Sequence, residues 1–159
     1  LATVITDKLE VMQQAADAVA QALAENVPGI LGIHFEGPHL SEGKKGAHSA
    51  EYIREISDGE WQLYGRKDLG QILVTLAPET VPVQDIRRLV QLGVKICLGH
   101  SNASYQQAQQ ALERMGHDVG GADGLPGFKT RRSIGRWQES TGRAATCFPE
   151  ASMKSALRR

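Results

Sequence analysis

Residues 30–38 of this 159-residue chain are ILGIHFEGP, a short apolar run that carries one histidine and one glutamate and closes on glycine and proline. Runs of this length, bounded by Gly and Pro, are typical of buried β-strands. Residues two apart in a strand point to the same side, so His34 and Glu36 share one face. The stretch therefore predicts a strand whose end carries an imidazole and a carboxylate.

The segments on either side alternate between strand and helix patterns. Short apolar runs predict further strands at residues 2–5, 71–76 and 94–98. Apolar spacing and turn residues predict helices at 7–26 and 82–92 and after Ser104. Strands that alternate with helices form parallel sheets with right-handed crossovers.

No glycine-rich phosphate loop follows the first predicted strand, which disfavours a doubly wound, nucleotide-binding sheet. The functional groups also follow the strands, as they do in barrel enzymes. We therefore predict an α/β protein with a partial (β/α)8, TIM-like barrel of about four parallel βα units.

Composition disfavours several classes of partner. Lys and Arg number 18 and Asp and Glu number 18, so the formal net charge is zero and neither nucleic acid nor a membrane is an expected partner. No apolar run approaches the ~20 residues that span a bilayer. Cys97 and Cys147 lack metal-type spacing, which indicates a reduced, cytoplasmic setting. The chain starts at Leu1, and we expect it to begin inside a longer gene product.

The two ends of the chain differ in composition. Residues 1–112 are acidic on balance and rich in large apolar side chains, whereas residues 113–159 are basic on balance and poor in them. A segment with few apolar residues offsets little of the entropy lost on ordering. We predict a partial barrel at 1–112 and a divergent tail at 113–159 that is poorly ordered or irregular, for example at 129–133.

Three polar side chains follow predicted strands and are candidates for a metal site. They are Glu36, Glu79 and His100. The carboxyl ends of parallel strands meet at one edge of a sheet, and carboxylate oxygen and imidazole nitrogen both suit Zn²⁺ and related divalent ions. Each residue also has an ordinary interpretation: a solvated loop glutamate, a carboxylate at a helix entry, or a hydrogen-bonded structural histidine.

Four short segments carry a resemblance that favours the metal interpretation. They are HFEGPHL at 34–40, KKGAH at 44–48, TLAPE at 75–79 and GHSNA at 99–103. In this order they resemble the N-acetylglucosamine-6-phosphate deacetylases, which are amidohydrolases, and the resemblance covers residues 1–112. It implies a (β/α)8 barrel beside a small β-sandwich, and hydrolysis of the acetamide of N-acetylglucosamine 6-phosphate to glucosamine 6-phosphate and acetate.

The resemblance also implies roles for individual residues. Glu36 and His100 match the first and second metal ligands of the family, and the ion is expected to be zinc. Ala47 and His48 match substrate contacts on the loop after the second strand. His34 matches no established ligand and is expected to lie beside the site.

The chain departs from the family after residue 112. Where the family continues with the histidine that is its third metal ligand, this sequence has GADGLPGF at 121–128. The general-base aspartate, the groups that contact the phosphate and the β-sandwich also have no counterpart. His117 lies near this point, but its neighbours do not match. A change of reading frame would explain both the loss of motifs and the basic composition.

We therefore expect this chain to be incomplete and inactive alone. Two alternatives stay open: another amidohydrolase or phosphosugar barrel, and a non-catalytic remnant. Half a barrel has unpaired sheet edges, so self-association into a homo-oligomer is a further expectation.

Overall fold

A computed structural model describes residues 1–125, 127–140 and 145–146. In these residues four strands form one sheet, in the order β1 (Ala2–Ile5), β2 (Gly32–Glu36), β3 (Gln71–Leu76) and β4 (Lys95–Leu98). All three neighbouring pairs are parallel. The predicted α/β class is confirmed, and the sheet is consistent with part of a (β/α)8 barrel.

Five α-helices accompany the sheet in the described part of the chain. They are α1 (Leu9–Ala24), α2 (Asp58–Tyr64), α3 (Val83–Gln91), α4 (Tyr105–Arg114) and α5 (Phe128–Ser140). Two short 3-10 helices, Glu42–Lys44 and Ala50–Tyr52, lie in the long loop after β2. None of the described helices has both the length and the apolar character that crossing a bilayer requires.

The two faces of the sheet differ in burial. One face carries the row Val4, Phe35, Val74 and Ile96, of which Phe35 and Val74 are fully buried in the apolar core with side chains of the helices. The other face is mixed, with Leu73 and Cys97 beside polar residues, and its row at the strand ends includes Glu36 and Thr75. The helices therefore leave this second face available to the loops at the strand ends.

Helix α2 was not predicted from the sequence. It has only seven residues, which is too short for a periodic pattern to register. A capping box precedes it: Glu60 accepts a hydrogen bond from the backbone N–H of Ser57 at 2.9 Å. The ring of Tyr64 at its end packs edge-to-face on Phe35, with centroids 5.5 Å apart, and so ties α2 to β2.

The tail also differs from the expectation of irregular structure. Residues 128–140 form α5, although basic side chains dilute its apolar pattern. Ile134 and Trp137 are each 4% exposed, and the Trp137 indole N–H donates to the carbonyl of Ile96 in β4 at 3.2 Å. The remainder of the predicted tail, at 141–144 and 147–159, lies outside the described residues. The boundary at residue 112 stays a prediction.

The contact between α5 and β4 can be tested with Trp137→Phe. The variant keeps an aromatic ring but removes the indole donor and leaves the buried Ile96 carbonyl without it. We expect the free energy of unfolding to fall by about 1–3 kcal/mol, measured by urea denaturation followed by circular dichroism. Phe128→Ala is the control, since Phe128 lies on the same helix and is 72% exposed. Equal stability of both variants would show that the hydrogen bond from Trp137 to Ile96 does not stabilise the docking of α5.

Candidate metal centre

Glu36 and His100 meet at the carboxyl-terminal edge of the sheet. Glu36 is the last residue of β2, and His100 follows β4. The Oε1 atom of Glu36 lies 3.0 Å from Nε2 of His100 and 3.9 Å from Nε2 of His48. Potential ligand atoms of these three residues all lie within 4.8 Å of one another, and no other such group of three occurs in the described residues. The parallel sheet thus brings together side chains that are 64 positions apart in the chain.

A backbone carbonyl fixes the tautomer of His100. Its Nδ1 lies 3.0 Å from the carbonyl oxygen of Lys44. A carbonyl can only accept, so Nδ1 carries the hydrogen, and Nε2 of the neutral ring presents a lone pair. That lone pair faces the carboxylate oxygen of Glu36, which is also an acceptor. Two acceptors at this distance repel each other unless a cation or a proton lies between them, so this pair is suited to a divalent ion.

The ring of His48 is oriented by Thr6. The Thr6 hydroxyl donates to the carbonyl of Glu36 at 3.1 Å, and its oxygen lies 2.8 Å from Nδ1 of His48. The backbone N–H of Thr6 donates to the same Nδ1 at 3.3 Å. Both contacts hold the ring with Nε2 on the side of Glu36. Burial, followed by the proximity of the His100 ring, lowers the pKa of His48 and favours the neutral form that binds a cation.

The donor set fits zinc or a similar ion. One carboxylate oxygen and two imidazole nitrogens are common zinc ligands, with bonds of about 2.0–2.2 Å. Two atoms bound to one such ion can lie no more than about 4.2 Å apart, which is twice that bond length. The 3.0 Å and 3.9 Å separations to Glu36 satisfy this limit.

Gly37 makes room for the Thr6 contact. Its φ is +86°, and a Cβ at this position would lie 2.2 Å from the hydroxyl oxygen of Thr6. Any side chain would therefore displace the group that orients His48. Both the space beside Thr6 and the positive φ therefore favour glycine at position 37.

The other predicted residues lie around the cluster or away from it. Ala47 is exposed in the loop beside His48. His34 lies on the same face as Glu36, where its Nε2 is 2.8 Å from the hydroxyl of Thr75. His117 lines a groove at the amino-terminal end of the strands and is not part of the cluster. The ligand and substrate roles of Glu36, His100, Ala47 and His48 stay predictions.

A buried network that the sequence did not reveal anchors the loop carrying His48. The buried carboxylate of Glu60 pairs with Nε of Arg54 at 2.7 Å. Arg54 also donates to the carbonyls of Asp7 and Tyr52, each at 2.8 Å. His39 bridges the carbonyl of Arg54 at 2.8 Å and the hydroxyl of Tyr64 at 2.9 Å. The loop is thereby fixed at a point distant from the ligand cluster.

Two groups of this network have shifted pKa values. Burial raises the pKa of Glu60, but hydrogen bonds from Ser57 and Arg54 outweigh it, and the pKa lies below the ordinary value. Burial lowers the pKa of His39, so its neutral form is favoured. For a carboxyl and for an imidazole alike, a pKa that is lower in the folded than in the unfolded chain makes the free energy of unfolding decrease as the pH falls. Acid should therefore weaken this anchor.

Comparisons with known proteins give one consistent group of relatives. The chain is 58% identical over 113 residues to an N-acetylgalactosamine-6-phosphate deacetylase of Shewanella sp. (strain ANA-3), covering 71% of this chain and 29% of the relative. It is 37% identical over 118 residues to an N-acetylglucosamine-6-phosphate deacetylase of Vibrio furnissii, covering 70% and 29%. No protein-family model matches the chain.

Solved structures give the same result. The N-acetylglucosamine-6-phosphate deacetylase of Pasteurella multocida superposes with a TM-score of 0.66 and 43% identity, covering 72% of this chain and 30% of that one. The enzyme of the same name from Thermotoga maritima gives 0.63 and 31%, covering 72% and 31%. This chain therefore spans less than a third of the length of the relatives that it matches.

Glu60→Gln tests the anchor and its pH dependence. Loss of one partner of a buried ion pair costs about 3–5 kcal/mol, and we expect the lower end because Arg54 is 27% exposed. The difference in unfolding free energy from the parent should be full above about pH 4.3, the ordinary pKa of glutamate, and should close as the pH falls through the lower folded-state pKa. Urea denaturation at about pH 7, 5 and 3 measures it. The exposed Glu55→Gln is the control, and a difference independent of pH would contradict the assignment.

Proposed function

We propose that Glu36 and His100 are ligands of a divalent ion in a hydrolase. The proposal starts from the family: over 71% of its length this chain belongs to the N-acetylglucosamine- and N-acetylgalactosamine-6-phosphate deacetylases. The reaction is hydrolysis of the acetamide of an N-acetylated amino-sugar 6-phosphate, with release of acetate. The observation that supports it best is the convergence of Oε1 of Glu36 with Nε2 of His100 at 3.0 Å and Nε2 of His48 at 3.9 Å.

The side chains divide the work of the site. When bound, a divalent ion supplies Lewis acidity, which acidifies water and polarises an amide carbonyl. The Glu36 carboxylate neutralises part of the cation charge, and the Lys44 carbonyl holds the His100 ring with its lone pair toward the site. Ala47 and His48 form the loop wall on which the resemblance places the sugar.

His48 has a second candidate role as the third ligand. Its Nε2 lies 3.9 Å from Oε1 of Glu36, within the span of two ligands of one ion. The ring is 5% exposed and its pKa is lowered, chiefly by burial, so it is held in the neutral form. We propose this ligand role for the chain as it is folded here. Zinc is the proposed ion, since the ligands are one carboxylate and two imidazoles.

The substrate is proposed to be N-acetylglucosamine 6-phosphate, with its galactosamine epimer as the second candidate. The glucosamine compound follows from the four motifs and from relatives such as the Vibrio furnissii enzyme. The epimer is favoured by the 58% identity to the Shewanella enzyme. A cytoplasmic location and self-association through the sheet edges belong to the same proposal.

Zinc titration tests the centre directly. We expect one ion per chain by isothermal titration calorimetry. Zinc affinity should fall by more than about 100-fold in Glu36→Gln and in His100→Ala, because removing a ligand costs more than removing a hydrogen-bond partner of a ligand. The exposed Glu10→Gln is the matched control and should bind as the parent does.

His48→Ala belongs to the same titration. An equally large loss of zinc affinity is the result expected for a third ligand. Unchanged affinity would show that His48 serves the substrate and not the ion. A parent chain that binds no zinc, or a Glu36→Gln variant that binds as tightly as the parent, would overturn the proposed centre.

Activity requires a general base as well, and the family's base has no counterpart in this sequence. The purified 159-residue chain should release no acetate above background from either amino-sugar phosphate, since general acid–base catalysis alone is worth about 10²–10⁴ in rate. A chimera in which residues 1–112 replace the matching segment of the Shewanella deacetylase should release acetate. Glu36→Gln in that chimera should abolish release.

Comparison of kcat/KM for the two epimers on the chimera decides the sugar. A folded, zinc-loaded chimera that hydrolyses neither compound would contradict the proposed function. Turnover of an unrelated amide by the same chimera would favour another amidohydrolase.

A further inference from the structure

The carboxylate of Glu79 joins the end of β3 to the turn after β4. Its Oε2 accepts from the hydroxyl of Ser101 at 2.6 Å, and its Oε1 accepts from the backbone N–H of Asn102. Both partners follow His100 directly. Glu79 does not cap a helix, as one interpretation of the sequence expected. Helix α3 begins at Val83, and its N-cap residue is Pro82, which makes no side-chain cap.

The turn that Glu79 contacts has an unusual backbone. The φ of His100 is +50°, a left-handed conformation that residues other than glycine rarely adopt. Such a conformation persists only where its surroundings hold it. The neighbouring contacts are the Nδ1 hydrogen bond to Lys44 and a hydrogen bond from the N–H of Ser41 to the carbonyl of His100 at 2.9 Å. Beyond His100, Nδ2 of Asn102 also donates to the hydroxyl oxygen of Ser41, at the longer distance of 3.4 Å.

Ser101 extends the contact further along the turn. The side chain is 4% exposed, and its oxygen accepts from the N–H of Ala103 at 2.8 Å while the hydroxyl donates to Glu79. Three consecutive residues after His100 are therefore tied to one carboxylate, either directly or through Ser101. Among the described residues, the carboxylate of Glu36 contacts the ring of His100, whereas that of Glu79 contacts the residues after it.

We propose that Glu79 is a positioning residue that holds His100 in the left-handed conformation in which Nε2 faces Glu36. The inference rests on the proposed metal centre, since it gives Glu79 a role in that centre without contact to the ion. A carboxylate suits the task because it offers two acceptors to two donors. In glutamine one of the two oxygens is replaced by an NH₂ donor, so the two present contacts, each to its own carboxylate oxygen, cannot both be kept in this geometry.

The test combines zinc affinity with a signal from the imidazole itself. Glu79→Gln should lower zinc affinity by about 10- to 100-fold, the range seen when support for a ligand is removed. Ser101→Ala keeps the contact to Asn102 and should give a smaller loss in the same direction. Glu51→Gln removes the same charge from an exposed position and should bind as the parent does.

Side-chain NMR on the metal-free protein gives the second readout. The Nδ1 proton of His100, bonded to Lys44, should exchange slowly in the parent and rapidly in Glu79→Gln. The Nδ1 proton of His39, bonded to the carbonyl of Arg54, is the internal reference and should not change. A role in general stability would move both signals together, whereas a positioning role moves only that of His100.

The outcomes separate this inference from the proposed function. Unchanged zinc affinity and an unchanged His100 signal in Glu79→Gln would overturn the role of Glu79 and leave the metal centre intact. If the parent binds no zinc, the metal centre fails, and the His100 signal still decides whether Glu79 holds the turn. If Glu79→Gln loses the His39 signal as well, Ser101→Ala decides by the same two measurements.

Discussion

Parallel pairing of β1 to β4 places the carboxyl ends of all four strands at one edge of the sheet, and the candidate centre depends on this constraint. Glu36 and Thr75 are register partners, as are Thr75 and Cys97, so the segment after β4 must emerge close to the end of β2. The shift of a strand by one residue would turn Glu36 to the helix-covered face. The apolar row on that face, with Phe35 and Val74 fully buried, therefore protects the geometry of the site as well as the stability of the core.

The secondary-structure elements that could be predicted from the sequence are those with a strong periodic or compositional pattern. The four strands and the helices α1, α3 and α4 could be predicted because their apolar residues recur at the spacing of the secondary structure. Convergence of Glu36 and His100 could be predicted as well, because both follow strands of one parallel sheet. Their role as ligands rests on chemistry and resemblance, and that role is a proposal.

The parts that could not be predicted depend on contacts distant in sequence. His48 lies in a loop of irregular structure, and its orientation comes from Thr6, 42 residues away. The contact of Glu79 with Ser101 likewise joins two turns that no local pattern relates. In α5, the charged side chains dilute the apolar pattern, and only packing on β4 shows which face is buried. Tertiary contacts decide these cases, and local propensity does not.

The separation of the cluster residues along the chain has a kinetic consequence. Contacts across 42 and 64 residues close large loops, and the entropy of closing them is recovered only when the sheet has its register. During synthesis Glu36 leaves the ribosome well before His100, so the early chain holds a carboxylate without its imidazole partner. The centre is therefore complete only once strands β1 to β4 have paired. An ion that binds only to this assembled arrangement stabilises the native chain by mass action.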